Sequence, residues 1–258
     1  MDFARSAEVA SRFVHLATAG STNDEIAERV RRGGRSEWPE FSTVVTDSQT
    51  SGRGRLGRSW VAPPGTMLAT SVLLWPGRSG IDRPDALGWL PLMAGLAMVR
   101  SVRGLGVEAD LKWPNDVMVR DGKLCGILSE YVGDGAVVLG AGINLTLTTE
   151  QLPVRTATSL AIEGVQADPD GVLAGYLVEL RSLYGAFANS GGDSEASGLF
   201  AEVSVACSTI GKTVRVELPG TESLVGVAES LDGDGRLVVD SPGRRTAVSA
   251  GDVTHLRY

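Results

Sequence analysis

Apolar positions recur along the chain with two spacings, one typical of helices and one typical of strands. The helical spacing is clearest where Leu173 and Leu177 share one face of a predicted helix. Asp168 and Pro169 precede that face as an N-cap and a first-turn proline. A second helix is predicted around residues 87–102, where a proline and small residues fit a buried helix better than a membrane span.

A third helix is predicted near the start of the chain. Thr22 and Glu25 have the spacing of a capping box, in which each side chain bonds the other residue's backbone N–H. Ile26 and Val30 then form an apolar stripe. The glycine pair at residues 33–34 is expected to end this helix.

Short apolar runs rich in β-branched residues predict strands between these helices. The predicted strands are residues 42–46, 66–74, 108–112, 116–119, 125–132 and 136–144. Two neighbouring runs are expected to form a hairpin, in which residues 116–120 lead out and residues 123–130 return. Asp121 and Gly122 would form its turn.

The pattern changes from Lys212 onward, where short alternating runs replace the helices. These runs are residues 213–218, 223–228 and 237–239. Closely spaced short strands of this kind predict a small β-barrel of SH3 type. The sequence therefore predicts two domains, residues 1–208 with a mixed sheet and helices and residues 209–258 with the barrel.

Composition narrows the classes of function that the chain can have. Its 258 residues suffice for one large and one small domain, and its formal net charge of −7 argues against a duplex-binding surface. Two cysteines and two histidines give no disulfide framework, no zinc spacing and no parts for a His-based triad. With no secretory leader visible, the expected location is the cytoplasm, without a nucleic-acid or membrane partner.

The most informative chemistry lies in residues 52–60, which read Gly-Arg-Gly-Arg-Leu-Gly-Arg-Ser-Trp. The glycines allow a close backbone approach to a ligand, with N–H groups as donors. Arg53, Arg55 and Arg58 add planar cationic groups suited to phosphate or carboxylate oxygens. Trp60 ends the loop with a flat apolar face, so a nucleotide or an acyl phosphate is the predicted ligand.

Two stretches of the sequence resemble nucleotide-binding motifs but lack the flanking structure that those motifs require. The Gly-x-Gly-x-x-Gly spacing within residues 52–57 resembles a dinucleotide motif, but Pro63 and Pro64 follow where that motif requires a helix. Residues 211–213 read Gly-Lys-Thr like the end of a P-loop, but Ala206 stands at the first glycine position and a strand follows. The predicted context of the arginine-glycine loop is strand–loop–strand.

Three further motifs carry residues with more than one interpretation, namely residues 112–116, 123–128 and 140–145. Taken singly, Lys123 fits either a solvated strand end or a point charge for phosphate or carboxylate. Asp116 fits either a magnesium ligand or a hydrogen-bonded turn. Asn144 fits either a turn former or the complement of an adenine edge.

Together with residues 52–60, these motifs resemble biotin protein ligases in order and approximate spacing. Residues 21–23, which read Ser-Thr-Asn, and Gln49 also match the family. The resemblance covers almost the whole chain and implies an α/β (α+β) fold with a class II aminoacyl-tRNA-synthetase-like catalytic domain. In that domain helices flank a mixed sheet, and a C-terminal SH3-like β-barrel follows. The short stretch before Ser21 is typical of the monofunctional class, without an N-terminal DNA-binding domain.

The resemblance implies two half-reactions in one site. Biotin and Mg-ATP give biotinyl-5′-AMP and pyrophosphate, and a lysine of a carboxyl carrier protein then takes the biotinyl group. The implied partners are carrier domains of acetyl-CoA, acyl-CoA or pyruvate carboxylases, and a homodimer is compatible with the family. The substrates are biotin and ATP with Mg²⁺, with no tightly bound organic cofactor.

The resemblance also assigns roles to individual residues. Catalysis is assigned to Lys123, Arg53 and Arg55. Biotin binding is assigned to Ser21, Thr22, Asn23, Gln49, Gly52, Arg53, Gly54, Arg55, Lys123 and Gly126. ATP or adenylate binding is assigned to Arg53, Arg55, Arg58, Trp60, Lys112, Asn115, Lys123, Gly142 and Asn144. Asp116 is the expected Mg²⁺ ligand.

Two alternatives stay open on the sequence. Lipoate ligases and octanoyl transferases have similar folds, and the transferases use a cysteine nucleophile. Cys125, however, lies in an apolar strand without a nearby histidine to lower its pKa. The other alternative is a non-enzymatic biotin sensor, against which the acidic net charge argues if such a sensor must bind DNA.

Overall fold

The protein is described by a computed structural model covering residues 1–218, 223–249 and 251–256. Five α-helices occur in these residues. They are α1 Ala4–Val9, α2 Thr22–Glu37, α3 Trp89–Arg103, α4 Pro169–Asn189 and α5 Leu199–Ala206. None of the helices within the described ranges is long and apolar enough to cross a lipid bilayer.

Seven strands form one large sheet. They are β1 Arg12–His15, β2 Ser42–Thr46, β3 Met67–Leu74, β4 Ala109–Lys112, β5 Asp116–Val119, β6 Gly122–Gly133 and β7 Ala136–Asn144. Their order across the sheet is β1-β2-β3-β7-β6-β5-β4. Because β1 and β2 are parallel and all other neighbours antiparallel, the sheet is mixed, as the sequence predicts.

The main core lies between this sheet and α3. That helix is buried along most of its length and packs against α4 and against the sheet. Leu90, Met93 and Val99 have no exposed surface, and neither do Tyr176 and Phe187 of α4. This burial explains why residues 89–99 of α3 are apolar on all sides, and it agrees with the sequence-based interpretation of the stretch as a buried helix.

The last strands form a second, antiparallel sheet. They are β8 Thr213–Glu217, β9 Ser223–Leu231, β10 Leu237–Ser241, β11 Arg244–Val248 and β12 Asp252–His255. Two indole N–H groups hold this sheet's 233–235 turn against the large unit. Trp89 donates to Gly233 O at 2.8 Å and Trp113 donates to Gly235 O at 3.1 Å.

The start of α2 differs from prediction. Ser21 is its N-cap and makes no side-chain capping bond, so the predicted capping box of Thr22 and Glu25 is wrong. The regular helix ends at the glycine pair, as expected, because Gly34 has non-helical backbone angles with φ 59° and ψ −166°; one further helical turn follows, up to Glu37. The extra turn is held by Trp38, which is 4% exposed and donates its backbone N–H to Gly34 O.

Candidate active site

The predicted site residues converge on one cleft of about 1330 Å³. The start of α2, the loop between β2 and β3, the β4–β5 turn, the face of β6 and β7, and the second sheet all contribute to its walls. All three lysines of the chain, Lys112, Lys123 and Lys212, line it. Of the residues assigned on the sequence, Gly52 alone lies outside this lining.

A buried polar cluster forms one end of the cleft. The Ser71 hydroxyl lies 2.7 Å from Thr22 Oγ1 and 2.6 Å from Asn23 Oδ1. The backbone N–H of Thr22 donates to Gln49 Oε1 at 2.9 Å, and Asn23 Nδ2 donates to Glu130 Oε2 at 2.6 Å. Hydroxyl and amide groups held in this way can match a small polar ring, because each buried polar atom of a ligand needs a partner.

Glycine provides the room for this cluster on strand β7. A Cβ atom at Gly140 would lie 2.4 Å from Asn23 Oδ1. Any side chain there would therefore push Asn23 off the sheet. Ser21, which is 5% exposed, completes the polar wall at the start of α2.

Two further glycines leave room for the Trp60 side chain on the sheet. Gly126 of β6 and Gly142 of β7 are cross-strand partners. A Cβ at Gly142 would lie 2.6 Å from Trp60 Cε2, and one at Gly126 would lie 3.3 Å from Trp60 Cζ3. The indole therefore lies directly on the sheet, where only glycine leaves space for it.

The arginine-glycine loop is closed by its own backbone. The N–H of Trp60 donates to Gly52 O at 2.8 Å, and the N–H of Gly54 donates to Arg58 O at 2.6 Å. A Cβ at Gly52 would lie 2.4 Å from Trp60 O. Gly52 thus closes the loop instead of lining the cleft.

Each arginine of the loop has a protein partner. Arg53 Nη1 donates to Asp24 Oδ2 at 2.9 Å, while its other terminal nitrogen lies 3.0 Å from Glu130 Oε2. Arg58 forms an ion pair with Asp252 of β12. Mutual repulsion among the three adjacent arginines is therefore relieved at Arg53 and Arg58 by acidic residues of the protein.

Arg55 is held differently from the other two arginines. It donates to Asn115 Oδ1 at 3.1 Å and to Gly251 O at 3.4 Å, and no carboxylate is hydrogen-bonded to it in the described ranges. Burial lowers the pKa of Arg55, and the nearby Asp116 carboxylate opposes that shift. Asn115 is itself fixed by a 2.6 Å bond from Nδ2 to Ile127 O. Arg55 thus presents a cation that is desolvated and only weakly neutralised.

Two of the lysines, Lys112 and Lys123, lie near the Asp116 carboxylate. Lys123 Nζ lies 2.6 Å from Asp116 Oδ1. Burial lowers the pKa of Lys112; Asp116 opposes this shift, whereas the neighbouring cations Lys123, Lys212 and Arg58 add to it. This excess of positive charge is what a polyanionic ligand would neutralise.

The donor set at Asp116 allows only a limited role for magnesium. In the part of the chain that the structure describes, no group of three His, Cys, Asp or Glu side chains could hold a metal ion. Magnesium is commonly held by one or two carboxylates together with nucleotide phosphates and water. Asp116 therefore fits an ion that arrives with the nucleotide, and its pairing with Lys123 competes with that role.

The cysteine alternative does not fit the structure. Cys125 has no exposed surface, and burial raises the pKa of its thiol far above the ordinary value. The thiol is therefore held protonated, which is the opposite of what a nucleophilic cysteine needs. Its role is packing in the core.

Several cleft residues were missed in the sequence analysis. They are Ser71, Glu130, Arg155, Thr158, Glu163, Lys212, Asp252 and His255, of which Ser71 and Glu130 meet the cleft cluster through hydrogen bonds and the others line the cleft. Lys212 carried a usable signal, because the chain has so few lysines. The others lie on distant strands or loops, and only the fold brings them together.

Comparison with known proteins identifies the family. Residues 21–146 match the biotin/lipoate A/B protein ligase family, and residues 209–256 match the biotin protein ligase C-terminal domain. A biotin–[acetyl-CoA-carboxylase] ligase of Mycobacterium tuberculosis is 41% identical over 248 residues, which cover 94% of this chain and 88% of that protein. The bifunctional ligase/repressor BirA of Escherichia coli is 28% identical, with 88% and 69% covered.

Solved structures agree with these matches. The biotin protein ligase of Aquifex aeolicus in complex with biotin and ATP superposes with a TM-score of 0.77 and 25% identity, over 96% of this chain and 100% of that one. The Leishmania major enzyme in complex with biotin gives a TM-score of 0.62 and 26% identity, over 96% and 99%.

Proposed function

The chain belongs to the biotin protein ligase family, and we propose that it activates biotin with ATP and then biotinylates a lysine of a carboxylase carrier domain. The carboxylate of biotin attacks the α-phosphorus of ATP, and pyrophosphate leaves. The lysine amine of the carrier then attacks the acyl carbon of biotinyl-5′-AMP, so that AMP leaves and the nitrogen loses a proton. No covalent enzyme intermediate is required.

One observation supports this proposal above all: a single cleft has a polar cluster at one end, an aromatic face at the other, and cationic side chains between them. The polar cluster of Thr22, Asn23 and Gln49 has the donors and acceptors to match the ureido group of biotin. Trp60 and Asn144 lie on the face of the sheet and suit an adenine ring. The biotin carboxylate and the α-phosphate would then meet beside the arginines and Lys123.

The charge arrangement explains how such a site would accelerate the first step. A carboxylate and a phosphate repel each other, so the reaction needs fixed cations at the point where they meet. Arg55 and Lys123 have this role in the proposal, and Arg53 joins them by exchanging Asp24 and Glu130 for substrate oxygens. Lys112, Lys212 and Arg58 would hold the outer phosphates, with which Mg²⁺ arrives.

The second step needs the carrier. The relatives named as acetyl-CoA-carboxylase ligases support a biotin carboxyl carrier domain of such a carboxylase as the partner. The division of the chain at residues 208 and 209, the cytoplasmic location, the homodimer and the absence of a nucleic-acid partner remain predictions.

Intact-mass measurement tests the proposal directly. The purified protein is incubated with biotin, Mg-ATP and a carrier domain, and the carrier is expected to gain one biotinyl group. A carrier whose acceptor lysine is replaced by arginine serves as the control. Transfer of lipoate or octanoate in place of biotin, or no transfer at all, would overturn the proposal.

A further inference from the structure

Residues 153–158, which follow β7, form a wall of the cleft next to Lys123. The backbone N–H of Lys123 donates to Thr156 O at 2.7 Å, and the N–H of Thr158 donates to Lys123 O at 3.0 Å. A Cβ at Gly122 would lie 2.7 Å from Thr158 Cβ, so this segment presses directly on strand β6. Thr158 is 4% exposed and lines the cleft.

The same segment fixes the side chain of Asn144. Asn144 is 4% exposed, and its Nδ2 donates to Thr158 O at 2.8 Å. The backbone N–H of Leu160 donates back to Asn144 O at 3.2 Å. Because the nitrogen of the amide is turned towards Thr158, the orientation of the amide is set, and Oδ1 is its acceptor for a ligand.

A buried carboxylate holds Thr158 in turn. The Thr158 hydroxyl donates to Glu163 Oε1 at 2.7 Å, and the side chain of Glu163 is 8% exposed. The other carboxylate oxygen lies 3.3 Å from Arg120 Nη1, whose side chain is 83% exposed. The Thr158 bond is thus sheltered from water, whereas the Arg120 pair is solvated and contributes little.

We propose that Thr158 and Glu163 are positioning residues that set the base selectivity of the nucleotide site by fixing the amide of Asn144. This inference rests on the proposed function, which puts the purine beside Asn144. With the amide held, Oδ1 accepts a hydrogen bond from the 6-amino group of adenine. A purine with a 6-oxo group would place its oxygen against Oδ1, and two acceptors repel.

A residue that sets base selectivity and a residue that only stabilises the cleft wall should give different results when substituted. When the hold on Thr158 is lost, the Asn144 amide can turn over and donate to a 6-oxo group instead. Selectivity between the two purines therefore falls, whereas simple loosening of the site would weaken both nucleotides equally. Inosine triphosphate is the suitable probe, since it differs from ATP at the 6-position and its adjoining ring proton.

Biotin-dependent pyrophosphate exchange with ATP and with inosine triphosphate tests this in the full-length protein. Thr158→Val and Glu163→Ala are expected to raise the KM for ATP about five- to ten-fold and to lower the preference for ATP about ten-fold. The KM for biotin should stay within about two-fold of the wild-type value, because the substituted side chains make no hydrogen bond to the polar cluster of Thr22, Asn23 and Gln49. Thr158→Ser and Glu163→Gln keep the hydroxyl donor and an acceptor oxygen, so they should restore most of the preference.

Arg120→Ala is the matched control, because it removes the other partner of Glu163 and leaves the Thr158 bond in place. Its nucleotide preference should equal that of the wild type. Folded Thr158→Val or Glu163→Ala protein with the wild-type preference would overturn the proposal, as would Arg120→Ala with a lowered one. If Glu163→Ala does not fold, Thr158→Val decides. Absence of exchange in the wild type would instead overturn the proposed function.

Discussion

Three basic side chains of the cleft, Arg53, Arg58 and Lys123, form ion pairs with the protein's own carboxylates. Arg53 is held by Asp24 and Glu130, and Lys123 by Asp116. An incoming carboxylate or phosphate therefore replaces an existing partner instead of meeting a bare charge. The exchange keeps every side chain oriented before binding, which lowers the conformational cost of assembling the site.

Lys123 is the residue whose loss should affect the first half-reaction most. We expect Lys123→Ala to cost about 2–4 kcal/mol of transition-state stabilisation, because a charge-assisted contact to the reacting groups is removed. The side chain is 34% exposed, so the fold should survive. Pyrophosphate exchange measures the rate, and circular dichroism checks the fold.

Arg245→Ala is a suitable control for Lys123→Ala, because Arg245 is an exposed, ion-paired cation of the second sheet. Its exchange rate should match that of the wild type. Near-normal exchange by folded Lys123→Ala protein would remove Lys123 from the catalytic residues.

Trp60 should serve the nucleotide more than biotin. Trp60→Ala is expected to weaken ATP or adenylate binding by about 1–3 kcal/mol, the usual contribution of stacking between a base and an aromatic ring. Trp60→Phe keeps an aromatic face and should lose less. Calorimetry with biotin alone and with a non-hydrolysable ATP analogue separates the two ligands, and an equal loss for both would mean that Trp60 organises the whole loop.

At the scale of elements, the sequence predicts most strands and the capped start of α4 well, and the start of α2 poorly. The β5–β6 hairpin forms as expected, because hydrophobic alternation acts locally. Its turn, however, is Arg120–Asp121 and not Asp121–Gly122, since Gly122 already pairs with Val119 in the ladder and Arg120 has a φ of 53°. The capping box of α2 does not form because Ser21, and not Thr22, is the N-cap. The Thr22 hydroxyl instead donates to Gln49 Oε1 at 3.3 Å, a group supplied by a distant loop. Tertiary contacts of this kind have no local signal.

In the candidate site, too, local motifs can be predicted from the sequence and tertiary partners cannot. Residues 52–60 are recognisable because glycines and arginines in such density have few structural uses. The partners of those arginines are not recognisable, since Glu130 and Asp252 are single acidic residues on ordinary strands. Only the pairing of the strands brings them to the cleft.

The arginine-glycine loop is expected to act as a gate. Arg55 ties it to Asn115 and to Gly251 beyond β11. Arg55→Gly removes these bonds and one of the cations at the reacting groups. The variant should therefore still form the adenylate, more slowly than the wild type, but release it early, so that lysines of nearby proteins are biotinylated. The adenylate dissociation rate and the labelling of a bystander protein are the measurements, with Arg245→Ala as control. A variant that retains the adenylate as long as the wild type would show that the loop is not the gate.

Helix α1 is attached to α4 by a buried carboxylate that should respond to acid. Burial of Asp170 disfavours its charged form, but hydrogen bonds from Ser6 and Arg5 outweigh this and lower its pKa to about 2. A lowered folded-state pKa gives stability that is complete above the unfolded value of 3.8 and is lost as pH falls towards about 2.

Asp170→Asn should therefore lower the free energy of unfolding near neutral pH by about 1–3 kcal/mol, because the charged acceptor is lost. The difference between variant and wild type should shrink as the pH falls below 3.8. Urea unfolding at several pH values measures this. Asp240→Asn is the control, since Asp240 is an exposed carboxylate of β10 in the other sheet. A pH-independent difference for Asp170→Asn would contradict the assignment.

At the scale of the whole molecule, the second sheet completes a cleft that the large sheet begins. Lys212 and Asp252 reach the cleft from β8's start and from β12. The contact between the two units is fixed by the buried indoles of Trp89 and Trp113. The ligand site therefore depends on the docking of the two sheets, which sequence motifs cannot describe.

Acylation of lysine side chains therefore measures how accessible the cleft is, because every lysine of the chain lines it. An amine-specific acetylating reagent should modify Lys112 readily, since burial lowers its pKa and leaves more of the amine uncharged. Lys123 should react more slowly, because its Nζ is engaged by the Asp116 carboxylate, 2.6 Å away. Biotin with ATP should protect all three lysines, whereas acetylation of the Met1 amine should be unaffected and serves as the internal control. Peptide mass mapping with and without ligands, beside pyrophosphate exchange, gives the comparison. Full exchange activity in protein acetylated at Lys112 and Lys123 would show that the positive charge of the cleft is not what assembles the reacting groups.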